Sequence, residues 1–243
     1  MSPVAGDGLI VALIGTNDDG AVVAYEAKSG AQKWIWKGDG PAYASPVIFE
    51  IGGVKQVVTL TQKYAVGLSL ASGDLLWRID FPGRSGMNIP TPLRFGQRLI
   101  LAGDSGTMLL QLNHQNNSWT AEKAWQISEL TMRFSSPVQK GNLIFGFSNR
   151  TSGIFFCVDA ESGKTLWTSA PRQGDNAVLL ISGELLFLVK DSAALIVART
   201  SGTGFEPLHR YEVSESSTYA NPLMLARGIV IKDNTTLSFL GWE

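Results

Sequence analysis

The sequence predicts an all-β fold built as a β-propeller of four-stranded antiparallel blades. Two ladders of residues in step, and strand-sized apolar runs between turn residues, carry that prediction. The first ladder is a polar residue, then Gly four later and Trp four after that. Its copies are Glu26, Gly30 and Trp34; Ser69, Gly73 and Trp77; and Asp159, Gly163 and Trp167. Two further copies are stretched past the turn, from Asn113 through Asn116-Asn117-Ser118 to Trp125, and from Ala198 through Ser201-Gly202 to His209 or Tyr211. The second ladder is Ser2-Pro3, Ser45-Pro46, Thr91-Pro92, Ser136-Pro137, Asn176-Ala177 and Asn221-Pro222, spaced 43, 46, 45, 40 and 45 residues apart. One shared period of that length marks radial or solenoid repeats.

Each position has a physical reason. Ser-Gly between apolar runs is a hairpin signal, because Gly takes positive φ at little steric cost. A carboxylate just before it, as at Asp159, can accept hydrogen bonds from turn amides. The Trp buries on the order of 150–250 Å², more than one thin sheet can cover, so it needs a neighbouring sheet. In the unit from Ser136 the strands are expected near Val138-Gln139, Leu143 to Phe147, Ile154 to Val158 and Thr165 to Ser169. Four strands per repeat is the blade pattern. The expected repeats are 2–44, 45–90, 91–135, 136–176, 177–220 and a partial 221–243, all in a single domain spanning 1–243.

Asp159 to Trp167 resembles the repeat of the pyrroloquinoline quinone (PQQ)-like propellers, whose consensus is close to Ala-x-Asp-x-x-Thr-Gly-Lys-x-x-Trp. Val158 departs from the usual Ala, and the third and fifth copies are interrupted. The family includes quinoprotein alcohol dehydrogenases, the propeller lipoprotein of the bacterial outer-membrane barrel assembly machinery, and many bacterial propellers and sensor domains. The resemblance covers essentially the whole chain. It implies that Trp34, Trp77, Trp125 and Trp167 dock between adjacent blades. It also implies a periplasmic or extracellular location. Relatives usually close with seven or eight blades, so five units and three strands are expected of a portion of a longer protein or of an unusual six-blade closure.

Charge and composition narrow the function classes. Lys and Arg number 20 against 21 Asp and Glu, a net charge of −1, with no basic run. A nucleic-acid or anionic-membrane footprint is therefore not expected. No apolar run approaches membrane-spanning length, so direct membrane insertion is not expected, and Met1-Ser2-Pro3 shows no targeting signal. The single cysteine, Cys157, reads as a buried, inert thiol. Asn17-Asp18-Asp19-Gly20 reads as a hairpin turn, since a calcium loop of the EF-hand type needs ligands over twelve residues and a distal Glu. Gly103-Asp104-Ser105-Gly106 echoes a serine-protease motif, yet no histidine precedes Ser105, so it too reads as a turn.

No convergent nucleophile, metal set or phosphate loop stands out. The reading is a non-catalytic scaffold that binds a protein or small-molecule ligand at the central funnel, with no cofactor. The alternatives are a fragment of a PQQ-dependent dehydrogenase, which would need PQQ and calcium, and a sensor domain of a larger signalling protein. In propellers the segment entering the innermost strand faces the funnel. The second ladder places Ala42-Tyr43, Asn88-Ile89, Arg133-Phe134, Gly174-Asp175 and Thr218-Tyr219 at equivalent sites. The recurring aromatic is expected to pack between blades. Candidate rim residues are Lys63, Asn88, Arg133, Arg172, Asp175 and Asn176, among which Lys63, Arg133 and Arg172 would form an anion-binding rim.

Overall fold

The computed structural model describes residues 1–16 and 19–242. The predicted turn at Asn17-Asp18 lies outside these residues. Among these residues, five four-stranded antiparallel sheets and one three-stranded sheet follow one another in sequence, each a meander in which sequence neighbours pair. No α-helix occurs among the described residues; a single 3-10 turn covers Arg150–Ser152.

The chain divides into two compact units, Met1–Arg133 and Phe134–Glu243. The first unit contains three sheets. They are β1 (Val4–Gly6), β2 (Leu9–Gly15), β3 (Gly20–Glu26) and β4 (Gln32–Trp36); β5 (Val47–Ile51), β6 (Val54–Leu60), β7 (Tyr64–Ser69) and β8 (Leu75–Asp80); and β9 (Leu93–Phe95), β10 (Arg98–Gly103), β11 (Gly106–Gln115) and β12 (Ser118–Ile127). The second contains β13 (Val138–Lys140), β14 (Leu143–Ser148), β15 (Ile154–Asp159) and β16 (Thr165–Thr168); β17 (Ala177–Ser182), β18 (Leu185–Lys190), β19 (Ala194–Arg199) and β20 (Pro207–Glu212); and β21 (Leu223–Leu225), β22 (Gly228–Lys232) and β23 (Leu237–Gly241).

The Gly of the first ladder closes the turn between the third and fourth strands. Gly30, Gly73 and Gly163 all have φ near +70 to +80°, a region open to glycine. Each donates its amide to the carbonyl four residues back, on Glu26, Ser69 and Asp159, at 2.8, 2.8 and 2.9 Å. Asp159 Oδ1 also accepts from the Ser162 amide and hydroxyl, at 2.8 and 2.7 Å. Those bonds, the hydroxyl first, hold the Asp159 carboxyl below its ordinary range.

A β-bulge recurs beside the Trp position. The register slips between Ala24 and Tyr25, Gly67 and Leu68, Leu109 and Leu110, Cys157 and Val158, and Val197 and Ala198. The residue before each slip faces Trp34, Trp77, Trp125, Trp167 and His209, respectively. His209, and not Tyr211, therefore stands where the other copies carry Trp.

Within each unit the core lies between consecutive sheets. Val11, Val22, Ala24 and Trp34 of the first sheet meet Val57, Val66, Leu68 and Leu70 of the second. The second sheet's Val58, Leu60 and Trp77 meet Leu99, Leu101, Met108 and Leu110 of the third. In the second unit Phe145, Phe155, Cys157 and Trp167 meet Leu179, Leu188 and Ile196, and Phe187, Val189 and Leu195 meet Ile229 and Ile231.

Three of the predicted docking tryptophans are buried. Trp34 Nε1 donates to the Leu70 carbonyl of the next sheet at 2.8 Å, and Trp167 Nε1 donates to the Ser201 carbonyl at 2.7 Å. Trp77 packs in the second core but donates to Gln56 Oε1 of its own sheet at 2.7 Å. Its ring lies over Gly67, where a Cβ would sit 2.2 Å from the indole. Trp125 is half-buried beside Leu109. In the fifth sheet β20 is exposed along its whole length, His209 included.

Candidate functional site: an aromatic-walled hollow at the approaches to the first strands

The segments leading into the first strands of the third to sixth sheets are hooked onto the turn between the second and third strands of the sheet before. In the first unit the Met132 amide donates to the Gly103 carbonyl (3.0 Å), while the segment before the second sheet is tied instead to that sheet's own turn, the Gln62 amide donating to the Gly40 carbonyl (3.2 Å). Asn88 Nδ2 donates to the carbonyls of Thr61 (2.8 Å) and Phe81 (2.7 Å). In the second unit the Gly174 amide donates to the Ser152 carbonyl (3.1 Å), while Thr218 donates its amide to the Asp191 carbonyl (3.2 Å) and its hydroxyl to the Lys190 carbonyl (2.6 Å).

An extended segment held this way alternates. Ala42, Asn88, Ser135 and Thr218 point inward and are buried, Ser135 donating its hydroxyl to the Phe147 carbonyl at 3.3 Å, whereas the rings beside three of them, Tyr43, Phe134 and Tyr219, are 57, 53 and 65% exposed. The expectation that the repeated aromatic packs between sheets is therefore not met: hooking its neighbour inward turns the aromatic out. Exposed aromatic rings are costly to leave in water and common in protein-binding surfaces.

The candidate rim residues fall in different settings. Lys63 is exposed in the second sheet; its amide donates to Asp39 Oδ2 at 2.8 Å and its carbonyl accepts from the Phe81 amide. Asn88 is fully buried and ties a turn; its Oδ1 has no hydrogen-bond partner. Arg133 faces Asp104 at 3.8 Å. Lys63, Asn88 and Arg133 belong to the first unit; Arg172, Asp175 and Asn176 belong to the second, and these three converge with residues that sequence reasoning missed.

In the second unit Phe134 and Tyr219 wall a hollow of about 380 Å³ whose polar lining is Asp175, Asn176 and Asp191. Asn176 Oδ1 and Asp191 Oδ1 are buried and accept no hydrogen bond. An adjoining hollow of about 560 Å³ shares Asp175, Asp191 and Tyr219 and adds Arg172 and three serines, Ser152, Ser192 and Ser217. The Asp175 carbonyl accepts from Asn149 Nδ2 at 2.7 Å, and the Asn176 carbonyl accepts from the Asp191 amide at 3.0 Å. The second bond fixes the approach segment against the turn that carries Asp191, and the first, from a side chain, ties it to the turn between β14 and β15. Below them Lys190 is 7% exposed, and desolvation, with Arg210 nearby, lowers its pKa. In the sequence Asp191 is one turn residue among many; its place in the hollow depends on the hook from Thr218.

Other chemistry is sparse. Cys157 is buried, and burial, with Asp159 nearby, pushes its thiol up to about 12, so thiolate is scarce at neutral pH. Ser105 donates its hydroxyl to the Pro82 carbonyl at 2.8 Å within the turn that joins β10 to β11. Among the described residues no three or more His, Cys, Asp and Glu side chains gather as a metal-binding group. No described helix is long and apolar enough to cross a membrane.

Sheets of this pattern define a β-propeller of four-stranded antiparallel blades. Solved propellers share the fold: BamB from Moraxella catarrhalis (14% identical, TM-score 0.51, 93% of this chain and 76% of that one) and quinohemoprotein alcohol dehydrogenase from Comamonas testosteroni (12% identical, TM-score 0.63, 93% and 45%). Sqt1 from Saccharomyces cerevisiae is similar too, at 12% identity and a TM-score of 0.65 over 95% of this chain and 67% of that one. The chain belongs to the PQQ-like repeat family described as outer membrane protein assembly factor BamB, whose profile matches residues 3–205. A curated relative, outer membrane protein assembly factor BamB of Burkholderia pseudomallei (strain K96243), is 23% identical over 242 residues. The match takes in 95% of this chain and 49% of that protein, so the chain spans about half the relative's length.

Proposed function

We propose that this chain is a non-catalytic propeller scaffold, a single domain that binds a protein partner during outer membrane protein assembly, and that it works in the periplasm. The observation that carries the reading is the outward-turned aromatic at equivalent repeat positions, Tyr43 in one unit and Phe134 and Tyr219 in the other. Large rings with low conformational entropy are common anchors in protein interfaces. Membership in the family described by an assembly factor supports the process and the compartment. The tryptophans serve as blade-docking residues, with Trp34 and Trp167 bonded to the sheet that follows each.

The test is complementation. In a strain lacking the gene, outer membrane protein content is measured after supplying the wild-type chain or a variant carrying Tyr43→Ser, Phe134→Ser and Tyr219→Ser. The variant is expected to accumulate and melt like wild type while failing to restore content. Full restoration by the variant, or unchanged content in the deletion strain, would overturn the reading. The scaffold needs no cofactor, so PQQ with calcium is expected to produce no dye reduction with alcohols or sugars; turnover there would favour a dehydrogenase.

A further inference from the structure

We propose that the groove between the fifth and sixth sheets receives a tryptophan side chain presented by a partner protein, standing in for the indole that the fifth sheet lacks. The contact is separate from the outward-turned aromatics and goes beyond the scaffold reading. In four sheets the residue facing the bulge is Trp; in the fifth it is His209, on a strand exposed along its whole length. Trp34 and Trp167 show what an indole does at that position: it is buried, and its Nε1 donates to a carbonyl of the following sheet. Where that ring is missing, an apolar groove of about 940 Å³ opens beside His209, walled by Phe187, Val197, Ile229, Leu240 and Trp242.

The repeat itself names the guest's chemistry. Leu70, whose carbonyl accepts from Trp34, donates its own amide to the Lys55 carbonyl near the start of its sheet's second strand, at 3.0 Å. Trp242 does the same toward the Arg227 carbonyl at 2.9 Å. The carbonyl equivalent to that of Leu70 therefore belongs to Trp242, a residue of the groove. The Trp242 ring is not the missing one: its Nε1 donates to the Leu225 carbonyl at 3.4 Å, and it stands 5.8 Å from the Phe187 ring as a wall. Apolar walls with one main-chain acceptor suit an indole, which is large, apolar and carries a single N–H donor. An aliphatic guest would leave that acceptor unused. A charged one would be desolvated against Phe187, Val197 and Ile229, all of them buried.

The probe is the peptide acetyl-Gly-Trp-Gly-amide, titrated into the ¹⁵N-labelled full chain. Two comparison peptides carry leucine, or 3-benzothienylalanine, which keeps the ring shape and loses the N–H. Saturable amide shifts at residues 197, 209, 229 and 242 are expected with tryptophan. Binding is expected to be about tenfold weaker with leucine, for its smaller apolar area, and about threefold weaker with benzothienylalanine, for the lost hydrogen bond. His209→Trp, which supplies the ring from within, is expected to abolish binding while melting no lower than wild type. Leu225→Glu sets a charge on the lining at a position 43% exposed, and is expected to weaken binding about tenfold; it carries the test should His209→Trp fail to fold. Equal binding of the tryptophan and leucine peptides, binding kept in a folded His209→Trp or in Leu225→Glu, or shifts only at residues 134 and 219 would overturn the inference, as would no saturable shift at all. None of these outcomes touches the complementation result, so the scaffold reading stands or falls separately.

Discussion

Trp34 donates its indole hydrogen to the carbonyl of Leu70, 36 residues further on and in the next sheet, at 2.8 Å. Trp167 repeats this with Ser201, 34 residues on, at 2.7 Å. Trp34→Phe keeps a ring in the core and strands the Leu70 carbonyl. It is expected to lower stability by about 1–3 kcal/mol, and Trp167→Phe by a similar amount. Urea unfolding reads both; an unchanged midpoint for Trp34→Phe would show that the bond contributes nothing net.

Gly67→Ala tests a contact inside one sheet. Its Cβ would meet the Trp77 ring at 2.2 Å while Trp77 is held to Gln56. Overpacking of this kind costs about 1–3 kcal/mol. The variant is expected to melt earlier than wild type, and Gly53→Ala is a useful contrast. Nothing lies within 4 Å of that Cβ, although φ at Gly53 is +76°, so only backbone strain acts there.

His209 occupies the bulge-facing position that is Trp in four other sheets, beside an apolar groove of about 940 Å³ that includes Phe187, Val197, Ile229 and Trp242. Filling a groove of this kind commonly stabilises by about 0.5–2 kcal/mol. His209→Trp is therefore expected to raise the thermal midpoint. A lower midpoint would mean that the neighbouring sheet cannot accommodate the indole.

Acid dependence follows from depressed carboxyls. The Ser214 hydroxyl and the turn amides of Thr236 and Thr235 hold Asp233 far below its ordinary range, and the Ser162 hydroxyl does the same, more mildly, for Asp159. In the unfolded chain these groups protonate near pH 4. Their contribution is thus present above about pH 4 and lost as pH falls through the lower folded values. Stability is expected to decline steadily between about pH 4 and pH 2, with a shallower slope in Asp233→Asn. Identical slopes would remove Asp233 from the account.

Much of the fold was readable because a repeat states the same local physics several times. The unit from Ser136 was expected as four strands, and they form at Val138–Lys140, Leu143–Ser148, Ile154–Asp159 and Thr165–Thr168. The turn glycines and the strand count followed for the same reason. The site was less readable. Whether Tyr43 or Tyr219 faces the interior depends on which neighbour is hooked to a distant turn, and a partner such as Lys190, 28 residues from Thr218, leaves no local mark. Asn88 looked like a rim residue because its repeat position varies, yet that variation reflects a polar side chain closing a buried turn. Trp77 shared its motif with Trp34 but bonds within its own sheet, since Gly67 and Gln56 make room for and receive the indole.

The third sheet shows how much length the plan can absorb. β11 and β12 are ten residues each, joined through Asn116 and Asn117, both at positive φ, with His114 and Trp119 stacked at 4.3 Å just below. The added length lies at the far end of the hairpin from the bulge at Leu109, so Trp125 still faces that residue. This ribbon tip is accordingly a natural graft point, where a fluorophore or epitope could be spliced in to report on the molecule without disturbing the repeat beneath it.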